Sequence, residues 1–444
     1  MVKKLQQYAK RMLCLAAVSG LLAFGNGDEL KRRAFLGVMV APATEGVQVQ
    51  KVVPKSSGEA AGLQAQDIIT QVNGKPVKDP GSFVQSVVGK KSGEKISITF
   101  LRDGKKQDKQ ITLQALPKEE NPDFDIIYDQ VSYGSNTVRS IISKPKSNGS
   151  FPAVLIVQGI GCYSIDNPLA PTDQYRKFVA DLTNAGFVTM RVEKSGMGDS
   201  EGKPCNQCNF QDEVQNFSAA LEKLKKLPYV DAKNVFIFGH SMGGMLAPVM
   251  AQQIPVKGII AYGTAFRPWM EYELYNAEQQ RKLNPAMAAA TDVDKKFLQQ
   301  YLVEKKAPQQ IIKQNPELLP AAQSRHMQND QLHGQHYTFI QQLSDVNLEQ
   351  KWKKLNTYVL AVHGTSDFVS HPVDHELLAK AVNQVQAGKA KHVELQNADH
   401  WFNDVPSKEA SLQNAMTGKV NSSYNEELSK LVTDWLQQIV KKKA

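Results

Sequence analysis

The sequence contains few cysteines, and their spacing argues against a structural zinc site. Of the 4 cysteines in 444 residues, only Cys205 and Cys208 have a Cys-x-x-Cys spacing, and no second pair of ligands accompanies them. Structural zinc needs four ligands, which two such pairs usually supply. Three histidines, His326, His333 and His336, lie close together downstream. They form no clear i, i+4 pair on a helix, so we interpret them as surface or packing residues.

Nucleotide-binding loops are also missing. The glycine-rich segment Ser195–Gly202 has neither the glycine spacing of a dinucleotide fingerprint nor the Lys-Ser/Thr of a P-loop. Both motifs need their glycines at fixed positions, because backbone N–H groups must surround the phosphates. We therefore expect no phosphate binding at this segment, and the chain is predicted to work without a cofactor.

No apolar run near the N-terminus is long enough to span a bilayer comfortably, since a spanning helix takes about 20 apolar residues. The run Met12 to Phe24 follows a basic segment and ends at Ala23-Phe24-Gly25, a small-x-small sequence. This pattern is typical of a cleavable export signal. We predict a signal peptide over residues 1–25 and a periplasmic or secreted protein. Membrane association is expected only if this segment stays uncleaved.

The positive charge is not concentrated in one region. The net charge of +9 and the pI near 9.1 come from lysines and arginines spread along the chain. Spread charge is typical of a solvated surface, so we expect no nucleic-acid partner. The composition is that of a globular chain, and its length exceeds that of one ordinary domain, which predicts two domains.

A β-rich pattern occupies residues 34–117. Phe35 to Val40 is expected to form one strand, and a helix is expected from about Pro80 to Val88. Four short sequences follow in a fixed order: Phe35-Leu36-Gly37-Val38, Ala61-Gly62-Leu63, Asp67-Ile68-Ile69 and Val72-Asn73-Gly74. Together they resemble a PDZ domain of the bacterial kind, which implies a small β-rich domain. A polar linker bounded by prolines, residues 117–122, follows.

The resemblance to PDZ domains implies a peptide-binding groove at Phe35, Leu36, Gly37 and Val38. Backbone N–H groups near Leu36 and Gly37 would capture the C-terminal carboxylate of a peptide, and the peptide would add as a strand along Val38 to Val40. The module would then recruit or regulate. The alternative is a module that only docks on its neighbour.

A serine stands at the apex of a strand–turn–helix pattern. Gly239-His240-Ser241-Met242-Gly243 follows the apolar run Val235 to Phe238 and precedes a helix-compatible segment. Glycines two positions either side of the serine leave room for a strained turn in which larger side chains would collide. This context favours a nucleophile elbow over a glycine-rich turn with a passive serine.

After residue 124 the sequence predicts a hairpin and then alternating strands and helices, ending in the amphipathic helix Glu426 to Lys441. Such alternation is typical of a mostly parallel sheet covered on both faces, with the functional site at the carboxyl ends of the strands. Between Thr264 and about Trp352 the alternation stops and helical spacing dominates. We predict an inserted helical lid over residues 264–352.

Two further strand ends carry groups that can activate a serine. Gly364-Thr365-Ser366-Asp367 ends one predicted strand, and Ala398-Asp399-His400 follows another. With the serine motif, these sequences resemble the α/β-hydrolase family over residues 124–444. The resemblance implies an α/β fold with a doubly wound, mostly parallel sheet. It also assigns Ser241 as the nucleophile, Asp367 as the orienting acid and His400 as the general base.

Rival residues exist for two of these roles. Asp374 lies within a predicted helix, and Asp399 is adjacent to His400 and poorly placed to reach its ring, so Asp367 is the preferred acid. His363 and His371 are candidate bases only if His400 fails.

Acyl transfer also needs N–H donors for the oxyanion. One is expected to be the amide of Met242, directly after the nucleophile. The other is expected from the turn Gln158-Gly159-Ile160-Gly161-Cys162, with Ile160 preferred and Gly161 next. The α/β-hydrolase family often has His-Gly where this chain has Gln158-Gly159, a difference that leaves backbone donation intact.

Export would place Cys162, Cys205 and Cys208 in an oxidising compartment. A disulfide within the Cys-x-x-Cys pair is one interpretation. A second follows from topology: the loops after adjacent parallel strands lie together, which would let Cys162 bond to one member of the pair. We favour Cys205 as its partner.

The sequence therefore predicts an exported serine hydrolase that cleaves ester, thioester or amide bonds through an acyl-enzyme. Its substrate would be a small-molecule ester or a peptide, and esterase activity is favoured over peptidase activity. C-terminal peptides are the expected partners of the PDZ module. The alternative is a peptide-binding scaffold whose hydrolase fold is not catalytic, and the complete triad argues against it.

Overall fold

The computed structural model describes residues 30–418 and 423–442. The predicted export signal, residues 1–25, lies outside them. Within these ranges, no helix combines the length and the apolar character needed to cross a membrane.

The N-terminal unit is a small antiparallel β-structure with two short helices. Its strands are β1 Ala34–Phe35, β2 Val38–Pro42, β3 Val47–Val52, β4 Ile68–Val72, β5 Lys75–Pro76, β6 Lys95–Arg102, β7 Lys105–Thr112 and β8 Gln114–Ala115; its helices are α1 Ser57–Ala60 and α2 Pro80–Val87. The main sheet has the order β2-β3-β4-β6-β7, with β5 paired to β4. Its core includes Val47, Ile69, Ile98 and Phe100, all fully buried.

The strand expected from Phe35 to Val40 is divided in two. At Gly37 the backbone has φ of +71°, and a Cβ there would lie 2.1 Å from the Cβ of Ser56. Only glycine fits such a turn without strain. As a result β1 pairs with β8, whereas β2 pairs with β3. Strand β2 therefore forms one edge of the main sheet.

The C-terminal unit is built on an 8-stranded sheet with the order β18-β17-β14-β13-β11-β12-β10-β9. The strands of this unit are β9 Phe124–Tyr133, β10 Asn136–Pro145, β11 Phe151–Val157, β12 Val188–Val192, β13 Val230–His240, β14 Gly258–Tyr262, β15 Gln331–Leu332, β16 Gln335–His336, β17 Tyr358–Gly364 and β18 Ala390–Leu395. Strands β9 and β10 form an antiparallel hairpin at one edge, and the remaining six strands of the sheet run parallel. The predicted doubly wound, mostly parallel sheet is confirmed.

Helices cover both faces of this sheet. The helices of the unit are α3 Gln174–Asn184, α4 Phe210–Lys226, α5 Met242–Gln253, α6 Trp269–Leu283, α7 Thr291–Leu298, α8 Pro308–Gln314, α9 Leu319–Gln323, α10 Thr338–Ser344, α11 Leu348–Lys353, α12 Pro372–Val385, α13 Lys408–Thr417 and α14 Glu426–Val440. In β13, Ile237 packs with α4, α5 and α12, whereas Phe236 and Phe238 pack with α3 and α14. This alternation reflects the two-residue period of a strand. Each fully buried side chain of this size contributes about 2–3 kcal/mol.

The segment between β14 and β17 contains α6 to α11 and the short pair β15 and β16. Its interior is apolar, with Phe297, Tyr301 and Trp352 almost fully buried. Arg325 lies in the same interior and pairs with Glu273 at 3.1 Å and with Asp294 at 2.8 Å. These buried pairs join three parts of the insertion to one another.

A buried ionic cluster joins the N-terminal unit to the C-terminal unit. Arg32 lies just before β1. One of its guanidinium nitrogens donates hydrogen bonds to carboxylate oxygens of Asp166 and Asp199, both at 2.6 Å. Arg139 of β10 also contacts Asp199, at 3.0 Å. A second Arg32 nitrogen donates to the Pro117 carbonyl at 2.6 Å. We call Arg32, Arg139, Asp166 and Asp199 the Arg32 cluster; it holds the entry and the exit of the N-terminal unit against the other unit.

Candidate active site

Ser241 occupies the sharp turn between β13 and α5. Its backbone has φ of 54° and ψ of −119°, a strained conformation for a residue other than glycine. A Cβ on Gly239 would lie 2.6 Å from the Gly243 carbonyl oxygen, and a Cβ on Gly243 would lie 2.1 Å from that of Val157. Both positions therefore require glycine, because any larger residue would collide with the backbone around the turn.

Hydrogen bonds fix the backbone of the turn and leave the hydroxyl free. The Ser241 N–H donates to the Tyr262 carbonyl at 2.8 Å, and its carbonyl accepts from the Thr264 hydroxyl at 2.9 Å. Within the described part of the chain, the Ser241 hydroxyl makes no hydrogen bond. In structures without substrate, the hydrogen bond between a catalytic hydroxyl and its base is often long, and it shortens when substrate binds.

His400 and Asp367 form a buried pair at the ends of neighbouring strands. The distance between His400 Nδ1 and Asp367 Oδ2 is 2.8 Å. The other carboxylate oxygen accepts the N–H groups of Val369 and Ser370, at 2.7 and 2.9 Å. Burial raises the pKa of Asp367, but its contact with His400 and its hydrogen bonds outweigh burial and hold that pKa well below its usual range. Asp367 is therefore an ionised acceptor that keeps a proton on Nδ1 and leaves Nε2 free to accept one.

The rival acids have other partners. Asp374 binds the guanidinium of Arg267 at 2.8 Å and lies in α12. Asp399 accepts the backbone N–H groups of Trp401 and Asn403 at 2.8 and 2.9 Å. Both carboxylates hold local loop structure, and neither contacts the ring of His400.

The rival bases are buried beside the pair. His363 Nε2 faces the Ser370 carbonyl at 3.3 Å, and His371 Nε2 faces the side-chain oxygen of Asn276 at 3.1 Å. Burial lowers the pKa of His363 to about 3 and that of His371 to about 4. These rings stay neutral near pH 7, and neither of them is hydrogen-bonded to Asp367, as His400 is.

His240, directly before Ser241, supports the backbone of His400. Its Nε2 lies 2.8 Å from the His400 carbonyl oxygen, and its Nδ1 contacts the Tyr175 hydroxyl. A carbonyl can only accept, so Nε2 carries the proton and Nδ1 accepts from the tyrosine. Burial, followed by the nearby His400, lowers the pKa of His240 to about 3. The sequence motif around Ser241 does not indicate this role for His240.

The turn after β11 lies directly against Ser241. A Cβ on Gly159 would be 3.1 Å from the Cβ of Ser241. Ile160 and Gly161, the predicted oxyanion donors, come next, and Gly161 has φ of +109°. Met242 begins α5 on the other side of Ser241, at the helix end where N–H groups are unpaired. Met242 and the turn that contains Ile160 and Gly161 therefore both lie next to Ser241.

A disulfide joins this turn to the loop after β12. Cys162 and Cys205 are bonded, and Cys208 is a buried free thiol. Burial raises the pKa of Cys208 to about 12, so the thiol is a poor nucleophile. Because Cys205 is committed to the disulfide, the Cys-x-x-Cys pair cannot chelate a metal. Among residues 30–418 and 423–442, no group of three or more His, Cys, Asp or Glu side chains is placed to hold a metal ion.

This arrangement can be compared with known proteins. Residues 170–400, just over half of the chain, match the family model described as serine aminopeptidase, S33. The chain belongs to this family. Residues 34–113 match the model of the PDZ domain, so the N-terminal unit of this S33 member is a PDZ domain.

Individual relatives cover only parts of the chain. The esterase EstD of Thermotoga maritima is 24% identical over 199 residues, which are 44% of this chain and 47% of the esterase. A probable periplasmic serine protease (do/HhoA-like) of Haemophilus influenzae is 42% identical over 73 residues, 16% of each protein. The chain therefore spans less than half the length of either curated relative. Among solved structures, Est1E from Butyrivibrio proteoclasticus has 15% identity and a TM-score of 0.44, over 71% of this chain and 99% of that one.

A cavity of about 750 Å³ opens beside the candidate triad of this S33 member. Phe368 follows Asp367, Trp401 follows His400, and both rings line it, with centroids 5.7 Å apart. Opposite them, the insertion contributes Met287, and further lining comes from α13. The wall also includes the buried Glu273 and Arg325 and the ring of His333. The cavity is therefore mainly apolar near the triad and polar at the insertion.

The PDZ domain leaves one sheet edge beside a helix. Strand β2 is one of the two edge strands of the main sheet, and α2 packs near it. Three apolar side chains stay exposed there: Met39 of β2 at 59%, Val84 of α2 at 48% and Val88 at 61%. Leu36 is buried, and Gly37 holds the turn that leads into β2. An unpaired edge beside exposed apolar side chains is a surface to which an extended peptide can add as a strand.

Proposed function

We propose that the protein is an exported serine hydrolase that cleaves ester, thioester or amide bonds through an acyl-enzyme. Ser241 is the nucleophile, His400 the general base and Asp367 the acid that orients it. The observation that carries the proposal is the 2.8 Å contact between His400 Nδ1 and an ionised Asp367, beside a serine in a strained elbow.

The chemistry follows from these groups. His400 Nε2 accepts the proton of Ser241 while the serine oxygen bonds to the substrate carbonyl carbon. The N–H groups of Met242 and Ile160, or of Gly161 next to it, stabilise the oxyanion. His400 then gives the proton to the leaving alcohol, thiol or amine. Water repeats the sequence on the acyl-enzyme and releases an acid.

The cavity supports a substrate with an apolar group. Trp401 and Phe368 offer flat apolar surfaces next to His400 and Asp367, and apolar contact area is the main source of affinity in such pockets. We propose that the segment 264–352 acts as a lid that shapes this cavity. Ester hydrolysis is favoured over peptide hydrolysis because the wall near the triad provides few hydrogen-bonding groups for a peptide backbone.

The PDZ domain supports a recruiting role. Peptide C-termini would add along β2, with the carboxylate at the Leu36–Gly37 turn. Export is supported by the disulfide between Cys162 and Cys205, since disulfides persist in oxidising compartments. It is also supported by the similarity to proteins described as probable periplasmic serine proteases.

A fluorophosphonate probe tests the proposal directly. We expect covalent labelling of Ser241, loss of labelling in Ser241→Ala, and turnover of at least one p-nitrophenyl ester in a panel that also contains aminoacyl amides. An unlabelled wild-type protein that still binds C-terminal peptides would instead identify a peptide-binding scaffold. Faster turnover of the amides than of every ester would make the enzyme a peptidase.

A further inference from the structure

Lys194 is a buried lysine next to the turn that carries the proposed oxyanion donors. It is the second residue after β12, and only 1% of its surface is exposed. Its ammonium donates to the Gly159 carbonyl at 2.9 Å and pairs with Glu213 of α4 at 2.7 Å. Burying an ammonium is costly even when it is paired. A lysine at this position therefore calls for a reason beyond packing.

The lysine acts on a peptide unit of the turn that lies against Ser241. The Gly159 carbonyl and the Ile160 N–H belong to the same planar amide. A hydrogen bond from a cation to the carbonyl oxygen draws electron density towards that oxygen, so the N–H of the same amide becomes a stronger donor. The contact also opposes rotation of the amide, which would turn a carbonyl oxygen towards the oxyanion.

We propose that Lys194 is a positioning residue that orients and polarises the Gly159–Ile160 amide as an oxyanion donor. The inference rests on the proposed function. The proposed role involves no contact with the substrate, and the ammonium is held by Glu213 as well as by the Gly159 carbonyl. Gln335 of the insertion donates to the same Glu213 oxygen at 3.2 Å. The oxyanion turn, α4 and the insertion therefore meet at this ion pair.

The test uses Lys194→Met, which keeps the length of the side chain and removes its charge and donor. The bound substrate carries no oxyanion, which develops only on the way to the tetrahedral intermediate, so the loss should fall on kcat and leave KM nearly unchanged. We expect kcat for a p-nitrophenyl ester to fall about 10- to 100-fold, less than or similar to the loss of a whole oxyanion donor. The affinity for a trifluoromethyl ketone that forms a tetrahedral adduct should fall in parallel.

Two further variants separate positioning from stability. Lys203→Met makes the same change at a lysine in the same loop whose side chain is 41% exposed and pairs with Asp212; it should leave kcat unchanged. Lys194→Met/Glu213→Gln removes the unpaired buried charge that the single variant leaves behind, so it should regain stability. Its kcat should stay low, because the Gly159 carbonyl still lacks its donor.

The outcomes distinguish the inference from the proposed function. Wild-type kcat in the double variant, or a rise in KM that accounts for the whole loss, would overturn the inference while Ser241 is still labelled by the probe. Loss of activity only through unfolding, with full kcat per folded molecule, would also overturn it. A wild-type protein that the probe does not label would refute the proposed function and this inference with it.

Discussion

The candidate triad and the PDZ groove differ in how their binding groups are held before any ligand arrives. At the triad, buried hydrogen bonds from several elements hold Asp367 and the backbone of His400. In the groove, β2 is an open sheet edge, and Met39, Val84 and Val88 are exposed. The triad keeps its geometry without a ligand, as acyl transfer requires. The unpaired backbone groups of β2 would gain strand partners only if an extended peptide added to this edge.

The two regions also differ in the groups that titrate. All 9 histidines of the chain lie between residues 240 and 400, and none lies in the PDZ segment 34–113. Four of them, His240, His363, His371 and His375, are buried with lowered pKa values. Mild acid therefore acts on the hydrolase region and leaves the PDZ domain largely unaffected.

Removing a member of the candidate triad should have the largest effect on activity, because this region holds its groups in place before any ligand binds. We expect Ser241→Ala and His400→Ala each to lower kcat by about 10⁴-fold or more, because the two residues act as one unit. Near-native denaturation midpoints would show that the loss is chemical. Substantial activity in His400→Ala would show that another residue is the base.

The acid can be tested against its rival with the same substitution. Asp367→Asn should lower kcat by about 10³- to 10⁴-fold, because an amide in place of the carboxylate favours the wrong tautomer of His400. Asp374→Asn weakens the contact with Arg267 at 2.8 Å and should lower stability while keeping kcat. The opposite pattern would assign the acid to Asp374.

The sequence was informative where local pattern and chemistry coincide. The elbow at Ser241 was predictable because a buried strand, two glycines and a helix start follow one another within a few residues. Asp367 and His400 were expected at the same edge of the sheet as Ser241, because alternating strands and helices predict a parallel sheet whose strands end at one edge. The final amphipathic helix was predictable as well, because α14 buries Leu428, Val432, Leu436 and Ile439 at a spacing of three or four residues.

The sequence was uninformative where a contact joins distant segments. The break at Gly37 depends on the approach of Ser56, and nothing in Phe35 to Val40 alone indicates it. Arg32 reads as part of a basic cluster at the N-terminus, yet its partners are 134 and 167 residues away. Glu213 likewise reads as an ordinary charge in the first turn of a helix, although it pairs with buried Lys194. Such pairings are set by the tertiary fold.

Acid should destabilise one of the two regions selectively. The folded-state pKa of His363 is about 3, against about 6.5 in the unfolded chain, so the unfolded chain binds protons first as pH falls. The free energy of unfolding should therefore fall as pH decreases from about 6.5 towards 4. At pH 5, each such histidine should lower the free energy of unfolding by about 2 kcal/mol, since one pKa unit is worth about 1.4 kcal/mol.

All 4 tryptophans lie in the hydrolase region, so their fluorescence reports its unfolding alone. Urea titrations at pH 7.5 and 5 should show the loss of stability by fluorescence. Hydrogen exchange of residues 34–113 provides the internal control and should change little between the two pH values. A pH-independent fluorescence midpoint would mean that these histidines can be protonated without cost.

The Arg32 cluster should couple the two regions. Arg32→Met leaves Asp166 and Asp199 with one partner fewer in a buried site, and breaking such a pair typically costs about 3–5 kcal/mol. We expect the PDZ domain and the hydrolase region to unfold separately in this variant, with hydrogen exchange of residues 34–113 and tryptophan fluorescence as the two probes. Lys31→Met, at an exposed neighbour, is the control. Coincident unfolding in Arg32→Met would show that other contacts join the domains.

The smallest predicted effect concerns the open groove. If the Leu36–Gly37 turn binds a carboxylate, C-terminal amidation of a bound peptide should weaken its affinity for the full-length protein. Hydrogen bonds to a charged group are worth about 1.5–3 kcal/mol, which corresponds to a loss of about 10- to 100-fold. Val84→Lys should also weaken binding, because Val84 is exposed beside β2. Val385→Lys changes an equally exposed valine in α12 and should have no effect. Equal affinity for free and amidated peptides, or no binder in a C-terminal peptide library, would show that the PDZ domain only docks on its neighbour and has no carboxylate-binding groove.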